Sequence, residues 1–173
     1  NKFAGESYHI LYHNVYGINS TVLRLTNTFG QKMRIKDSKQ TFLGIWLRNV
    51  LENKPICIYG DGSQLRDLNY IDDVVNALLM VTIYSKSNGK VYNLGSKEII
   101  SLNDLAEKLT QANGSGVIDK KQFPKKLKKI DIGNYYSNFD KITKEINWKP
   151  KFNISEGLLN TLNYYRSNLL KYI

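Results

Sequence analysis

The chain has 173 residues, of which 42% are hydrophobic and 23% charged, and this composition of a globular domain excludes intrinsic disorder and fibrous repeats. No apolar run approaches the roughly 18 residues that span a bilayer, and the single cysteine, Cys57, excludes an intramolecular disulfide and a thiolate metal cluster. The first residues lack the basic start and apolar core of a signal peptide, so we expect a soluble, cytoplasmic protein without a membrane partner.

The formal net charge of +10 suggests a nucleic-acid partner, but the kind of cation argues against one. Five of the 25 cations are arginines, the side chain best suited to base edges, and the others are lysines spread along the chain. The dense cluster between Lys120 and Lys129 has Phe123 as its one interleaved aromatic residue. We therefore predict a solvated loop or a phosphate-attracting rim there, and no nucleic-acid partner.

The first half of the chain alternates between helical and extended patterns. Apolar residues at spacings of three and four indicate helices, whereas alternating β-branched and apolar residues bounded by glycine indicate strands. The predicted elements are, in order, a helix over residues 3 to 15, a strand over residues 21 to 27, a helix over residues 40 to 52, a strand over residues 55 to 59 and extended structure over residues 68 to 71.

The second half continues the alternation around a less regular stretch. Asp72 and Asp73 place negative charge in the first turn of the next helix, and Ser101 with Asp104 predicts a capping box for a later one. The predicted elements are a helix over residues 72 to 84, a strand over 91 to 95, a helix after residue 101, possible strands at 116 to 118 and 130 to 132 within an irregular segment, and helices over 139 to 146 and 154 to 170. Such alternation predicts an α/β fold.

Two groups of polar residues are candidates for chemistry on their spacing alone. His9 and His13 are four residues apart on the first predicted helix, where two imidazoles can share a metal, but no third ligand is suggested nearby, so we predict no metal site. Arg66 follows a glycine-rich turn and precedes Asp67. This pair is either a structural ion pair or a cation held by its neighbour and aimed at an anionic substrate.

The run from Lys54 to Val75, with Gly60-Asp61-Gly62 and Arg66-Asp67 inside it, resembles the C-terminal half of the NAD-dependent epimerase/dehydratase family. These are extended short-chain dehydrogenases that act on nucleotide sugars. Further segments that resemble family motifs, in the family's order, are residues 23–30, 92–96, 147–150 and 155–158. The resemblance covers nearly all of the chain and is greatest for the UDP-glucose 4-epimerase branch.

The resemblance implies an α/β fold that combines the last part of a Rossmann-type parallel sheet with the smaller C-terminal nucleotide-sugar-binding domain. Residues 1–30 and 71–95 are expected in the Rossmann part, and residues 31–70 and 96–173 mainly in the substrate-binding part. Lys2 is similar to the lysine of the family's Tyr-x-x-x-Lys motif, whose tyrosine would lie four residues earlier. We therefore expect a truncated extended short-chain dehydrogenase, inactive alone, whose NAD-binding half is missing.

The function that the resemblance implies is a nucleotide-sugar 4-epimerase that uses bound NAD and passes through a 4-keto intermediate. A UDP-sugar is the expected substrate, and a homodimer is the expected assembly of the full-length protein. A 4,6-dehydratase or a decarboxylase of the same family is the alternative, because these enzymes differ in residues of the other half. The alternative from another class is a non-catalytic module that binds nucleotide sugars.

Two residues are expected on the cofactor side of the site. By resemblance, Lys2 would bind the nicotinamide ribose of NAD and, as a cation, lower the pKa of the catalytic tyrosine. Thr26 matches the position beside the nicotinamide.

Four residues are expected around the base of the nucleotide. Phe42 and Leu43 match positions that the family lays against the pyrimidine, although packing in the core is an equally simple role for both. Cys57 and Tyr59 match the strand that frames the base from the other side.

The phosphates and the ribose of the nucleotide complete the expected site. Asn27 matches a residue that hydrogen-bonds the diphosphate, and Arg66 matches the diphosphate-binding arginine, which favours the anion-binding interpretation of that residue. Asp131 matches the acid that contacts the nucleotide ribose. Lys128 stands where the family has an arginine that contacts a phosphate.

Overall fold

The computed structural model describes residues 1–37 and 41–173, in which helices and strands alternate along the chain. The helices are α1 (Lys2–Tyr16), α2 (Phe42–Leu51), α3 (Ile71–Ile83), α4 (Leu102–Asn113), α5 (Lys125–Lys128), α6 (Asp140–Ile146) and α7 (Ile154–Asn168). The strands are β1 (Val22–Arg24), β2 (Asn27–Phe29), β3 (Ile56–Tyr59), β4 (Leu65–Tyr70), β5 (Val91–Asn93), β6 (Ile99–Ser101) and β7 (Ile118–Lys121).

The strands of the described residues form three small sheets. β1 pairs in parallel with β5, and β3 pairs in parallel with β7. In the third sheet β4 lies between β2, to which it is parallel, and β6, to which it is antiparallel. Parallel strands connected through helices are the α/β architecture, so the predicted fold class is confirmed.

Two apolar clusters form the core of the molecule. One packs helices α2, α4 and α7 on strands β3 and β4, and the other packs α3 and α6 on β5. Buried members of the first cluster include Leu43, Leu47, Ile58, Leu68, Leu105 and Leu158. Buried members of the second include Val74, Ala77, Tyr92, Leu94, Ile142 and Trp148. Each buried valine, leucine or isoleucine among them stabilises the fold by ~1.5–3 kcal/mol when it leaves water.

A buried aspartate fixes the connection from α6 to α7. The carboxylate of Asp73 accepts hydrogen bonds from the backbone N–H groups of Lys151 at 2.8 Å and Phe152 at 3.1 Å. Its backbone carbonyl accepts a third, at 3.2 Å, from the indole of Trp148. The connection is therefore anchored to the first turn of α3, where the prediction places Asp73.

Helix α7 begins with a complete capping box. The side chain of Asn153 accepts a hydrogen bond from the backbone N–H of Glu156 at 2.8 Å, and the Glu156 carboxylate accepts one from the Asn153 N–H at 3.1 Å. At α4 the predicted cap is confirmed in its first half, because the Ser101 hydroxyl accepts from the Asp104 N–H at 3.1 Å. The Asp104 carboxylate, however, accepts from the Ser101 hydroxyl.

Replacing Asn153 with alanine should lower the free energy of unfolding by about 1 kcal/mol, because the first turn of α7 loses the acceptor of its cap. Urea unfolding followed by circular dichroism measures the difference. Gln111→Ala, at an exposed position of α4, is the control and should change stability by less than about 0.5 kcal/mol. An equal effect of the two substitutions would contradict the role of the cap.

The predicted strand over residues 21 to 27 is wrong as a single element. The chain instead forms β1 and β2, with Leu25 and Thr26 between them. The two strands have different partners, since β1 pairs with β5 and β2 pairs with β4. The break therefore marks the place where the chain passes from one sheet to another.

Other element boundaries also differ from the prediction. The strand expected at 116 to 118 is β7, which begins at Ile118, and the strand expected at 130 to 132 is absent from the described part of the chain, where Ile130 and Ile132 are exposed. The alternating apolar residues of this stretch do not pack against a sheet, and the short helix α5 precedes them. The helix predicted from residue 40 begins at Phe42, and residue 40 itself lies outside the described residues.

Candidate functional site

A cleft of about 810 Å³ lies between the start of α1, strand β1 and Tyr135. Lys2 lines this cleft together with Glu6 and Leu25, and its side chain is exposed. Arg24 on β1 holds Glu6 on α1 through a two-point ion pair with distances of 2.5 and 2.8 Å. This hydrogen bond lowers the pKa of Glu6. The ion pair therefore fixes the helix that carries Lys2 against β1.

Thr26 belongs to a buried polar network on β4. Its hydroxyl accepts a hydrogen bond from the Asn69 amide at 2.5 Å and contacts the carboxylate of Asp67, which is fully buried. Asp67 also accepts the backbone N–H of Ser137 at 3.1 Å. Burial raises the pKa of Asp67 more than these hydrogen bonds lower it. Thr26 is thus held by buried groups, and a carboxyl group that is costly to ionise lies beside it.

The contribution of Asp67 to the stability of the chain should fall as the pH rises above 3.8, the ordinary pKa of an aspartate, until the raised pKa of Asp67 is passed. In this range Asp67 is protonated in the folded state and ionised in the unfolded chain. The folded state then binds more protons, so a rise in pH favours unfolding. Asp67→Asn should remove this component, so urea unfolding across the acid range should show the variant gaining on the wild type as pH increases. A difference that does not change with pH would contradict the raised pKa.

Arg66 is nearly buried on β4, with 9% of its surface exposed. Its guanidinium donates from Nη1 to the carbonyl oxygens of Leu65, at 2.8 Å, and of Gly133. No ion pair joins it to Asp67 or to any other carboxylate in the described residues, so the predicted neighbouring pair is wrong. Successive side chains of a strand point to opposite faces, which separates the two charges. Among the residues that the structure describes, Arg66 is consequently a buried cation without a counter-ion.

The segment after Asp131 lies along β4 beside Arg66. Tyr135 forms an isolated parallel bridge with Arg66, its N–H donates to the Leu65 carbonyl at 2.9 Å, and the Asn134 side chain accepts the Leu65 N–H at 2.9 Å. Because Tyr135 also lines the cleft of Lys2, this segment connects the surroundings of Arg66 with that cleft.

The residues expected at the base differ in exposure. Leu43 is 1% exposed and packs in the first core cluster, whereas Phe42 is half-buried with its ring 5.0 Å from that of Trp46. Cys57 is half-buried on β3, and its carbonyl accepts the Trp46 indole at 3.2 Å. Tyr59 at the end of β3 is 38% exposed. Tyr59 is therefore the most accessible of these four side chains.

The residues expected at the phosphates and the ribose, apart from Arg66, lie at separate places around β3 and β4. Tyr59 packs against Phe123, with ring centroids 6.1 Å apart, and Phe123 and Lys128 line a cavity of about 480 Å³ beside Gly60. Lys128 and Asp131 are both exposed. Asn27 is half-buried at the start of β2, opposite Leu68. The structure thus places Lys128 near Tyr59 and Asn27 near β4, whereas Lys2 lies in its separate cleft.

Sequence reasoning missed the roles of Asp67, Asn69 and Tyr135. A signal for the first two was present, because polar side chains recur at alternate positions of a strand whose residues from 66 to 70 are all buried. Tyr135 carries no such signal, since its place depends on pairing with Arg66.

The described residues offer neither a metal-binding cluster nor a membrane-spanning helix. They contain no group of three or more His, Cys, Asp or Glu side chains that could hold a metal ion. His13 is engaged with the carbonyl of Ile18 at 3.0 Å. None of the helices in this part of the chain combines the length and the hydropathy of a membrane span.

Comparison with known proteins places these features in a family context. A model of the NAD dependent epimerase/dehydratase family matches residues 1–95. The UDP-glucuronate 4-epimerase of Thermodesulfobacterium geofontis is 31% identical over 169 residues, which make up 97% of this chain and 50% of that protein. The chain spans about half the length of the curated relatives it matches.

Solved structures give the same result. The UDP-glucose 4-epimerase of Thermotoga maritima, solved with UDP-glucose, is 28% identical and superposes with a TM-score of 0.87 over 97% of this chain and 52% of that one. The UDP-glucuronic acid 4-epimerase of Bacillus cereus, solved with UDP-glucuronic acid and NAD, is 26% identical with a TM-score of 0.80 over 96% of this chain and 51% of that one.

Proposed function

The chain belongs to the NAD-dependent epimerase/dehydratase family, as its motifs predict, and we propose that it supplies the nucleotide-sugar-binding part of a 4-epimerase. In the whole protein the substrate is a UDP-sugar, which is oxidised at C4 to a 4-keto intermediate and reduced again on the other face. Residues 31–70 and 96–173 mainly hold this substrate, and residues 1–30 and 71–95 contribute to the cofactor-binding part.

The observation that carries the proposal is the buried guanidinium of Arg66. A buried cation is costly unless an anion or hydrogen-bond acceptors compensate it, and the two carbonyl oxygens bound to Nη1 engage only part of its fork. A diphosphate offers the remaining compensation, because its oxygens accept paired hydrogen bonds from a guanidinium. Asn27, opposite Leu68 on the neighbouring strand, adds an amide donor close to β4.

The cleft beside Lys2 fits the nicotinamide end of NAD. It has a volume of about 810 Å³, and in the described residues no carboxylate forms an ion pair with Lys2, so its three N–H donors are available to ribose hydroxyls. When bound, NAD supplies a reversible hydride acceptor. Lys2 holds the ribose, and Thr26, fixed by Asn69 and Asp67, directly follows Leu25, which lines the same cleft.

A 4,6-dehydratase or a decarboxylase remains the alternative enzyme, since the family name itself covers dehydratases. Product analysis of the whole protein by NMR separates these activities. A C4 epimer supports the proposal, whereas a 4-keto-6-deoxy sugar or release of carbon dioxide contradicts it. Absence of any product together with tight UDP-sugar binding would favour a non-catalytic binding module.

Calorimetric titration of the 173-residue chain tests the substrate class. UDP should bind more tightly than UMP, because the second phosphate supplies the additional charge-assisted contact to Arg66, worth about tenfold in affinity or more. Inorganic phosphate at the same ionic strength is the control for non-specific attraction to the basic surface. Equal affinity for UDP and UMP would contradict diphosphate recognition.

We propose that the whole protein forms a homodimer through α1. No residue of this helix is buried, and Phe3, Tyr8, Leu11 and Val15 leave apolar surface exposed. Contiguous apolar surface of this kind marks protein interaction sites. Sedimentation velocity should show a dimer that Leu11→Asp weakens and Gln111→Ala leaves intact. A wild-type protein that stays monomeric at all concentrations would contradict this assembly.

A further inference from the structure

The two core clusters are joined by chain segments that converge on one carboxylate. Thr26 lies between β1 and β2, Ser96 follows β5, and Ser137 precedes α6, so the three residues belong to three different connecting segments of the chain. The backbone N–H of Ser137 donates to the Asp67 carboxylate at 3.1 Å, and the side chain of Thr26 and the backbone N–H of Ser96 lie close enough to interact with that carboxylate. Asp67 on β4 is therefore the point at which these three segments meet.

The packing around Asp67 leaves little freedom. The residue has no exposed surface, and a Cβ added to Gly95 would lie 3.0 Å from its Oδ2 and 2.9 Å from the ring of Phe139. Ser137 ends the segment that begins at Gly133, whose carbonyl accepts a hydrogen bond from the guanidinium of Arg66. Asp67 on one face of β4 and Arg66 on the other thus anchor opposite ends of the same five residues.

We propose that Asp67 is a positioning residue that fixes Thr26 and the segment from Gly133 to Ser137 relative to Arg66. The inference rests on the proposed function, in which Arg66 binds the substrate diphosphate and Thr26 faces the cofactor. Loss of Asp67 frees the Ser137 end of the segment. The Gly133 carbonyl then no longer holds the Arg66 fork in one orientation, and part of the diphosphate affinity is lost.

Hydrogen exchange on the ligand-free chain tests the positioning role without any ligand. Asp67→Ala should accelerate exchange of the Ser96 and Ser137 amides at least tenfold relative to amides in the middle of α7. Asp73→Ala is the matched control, because Asp73 is another buried carboxylate that accepts two backbone N–H groups, yet it contacts neither segment. Equal exchange at Ser96 and Ser137 in both variants would overturn the proposal.

UDP titration of the same variants separates positioning from stability. Indirect coupling of this kind typically changes affinity by roughly 2- to 30-fold, so Asp67→Ala should raise the Kd for UDP within that range while Asp73→Ala leaves it unchanged. A Kd that follows the melting temperature in both variants would overturn the proposal. If the wild-type chain does not bind UDP, the proposed function fails. The exchange data alone then decide whether Asp67 fixes the segment from Gly133 to Ser137.

A second variant keeps the test valid if the Asp67→Ala protein does not fold. Asp67→Asn preserves the shape of the side chain and one acceptor oxygen, so it should accelerate exchange at Ser96 or Ser137 by less than Asp67→Ala. No acceleration at either amide in Asp67→Asn, combined with an unchanged Kd for UDP, would overturn the positioning role.

Discussion

Replacing Trp148 with alanine should lower the free energy of unfolding by about 3–5 kcal/mol, the largest stability loss that we expect from a single substitution in this chain. The indole is fully buried in the second core cluster, packs edge-on against Phe139 at 6.0 Å, and donates to the Asp73 carbonyl at 3.2 Å. Its removal leaves a cavity and takes away the indole hydrogen bond to the Asp73 carbonyl. Urea unfolding at neutral pH measures the loss.

Two further variants identify the origin of that loss. Trp148→Phe retains an aromatic ring but not the N–H donor, so its effect should be clearly smaller than that of alanine. Lys149→Ala changes the exposed neighbour and should alter stability by less than about 0.5 kcal/mol. A loss of under about 1 kcal/mol for Trp148→Ala would show that the second cluster does not act as a packed core.

Arg66→Ala should raise the Kd for UDP by roughly ten- to a hundredfold, because a charge-assisted contact to the diphosphate is worth ~1.5 to 3 kcal/mol. Arg66→Lys should recover only part of the affinity, since an ammonium group cannot form the paired hydrogen bonds of the guanidinium fork. Calorimetric titration of UDP into the 173-residue chain gives each Kd, and thermal unfolding reports whether the variants keep their fold.

Arg166→Ala provides a matched control for this measurement. Arg166 lies on α7, is exposed, and hydrogen-bonds Asn113 and Asn163 rather than any residue of the candidate site. The Kd for UDP should therefore stay at the wild-type value. If Arg166→Ala weakened UDP binding as much as Arg66→Ala, the effect would come from the overall positive charge and not from a specific contact.

Elements with strong local signals were predictable from the sequence. The cap at Ser101 and the apolar face of α4, for example, depend on residues within one helix, and both are present. The division between β1 and β2 was not predictable, because the local pattern of residues 21 to 27 is uniform. What separates the strands is pairing with β5 and β4, whose residues lie roughly 40 to 70 positions away.

In the candidate site, too, some residues were predictable from the sequence and others were not. A family motif identifies Arg66, but its neighbour Asp67 was expected to pair with it and instead faces the other side of β4. The partners of the two residues, Gly133 and Ser137, are 67 and 70 positions away, and no local sequence pattern predicts these contacts. Opposite charges on adjacent residues suggest an ion pair, but in a strand the two side chains point to opposite faces and do not meet.

A crystal structure of the chain with UDP tests most directly whether this chain binds the diphosphate of a nucleotide sugar through Arg66. We expect a diphosphate oxygen at hydrogen-bonding distance, about 2.7–3.2 Å, from the guanidinium of Arg66, with the pyrimidine beside Phe42 and Tyr59. UDP bound instead elsewhere on the lysine-rich surface, with Arg66 contacting only the carbonyl oxygens of Leu65 and Gly133, would contradict the proposed function.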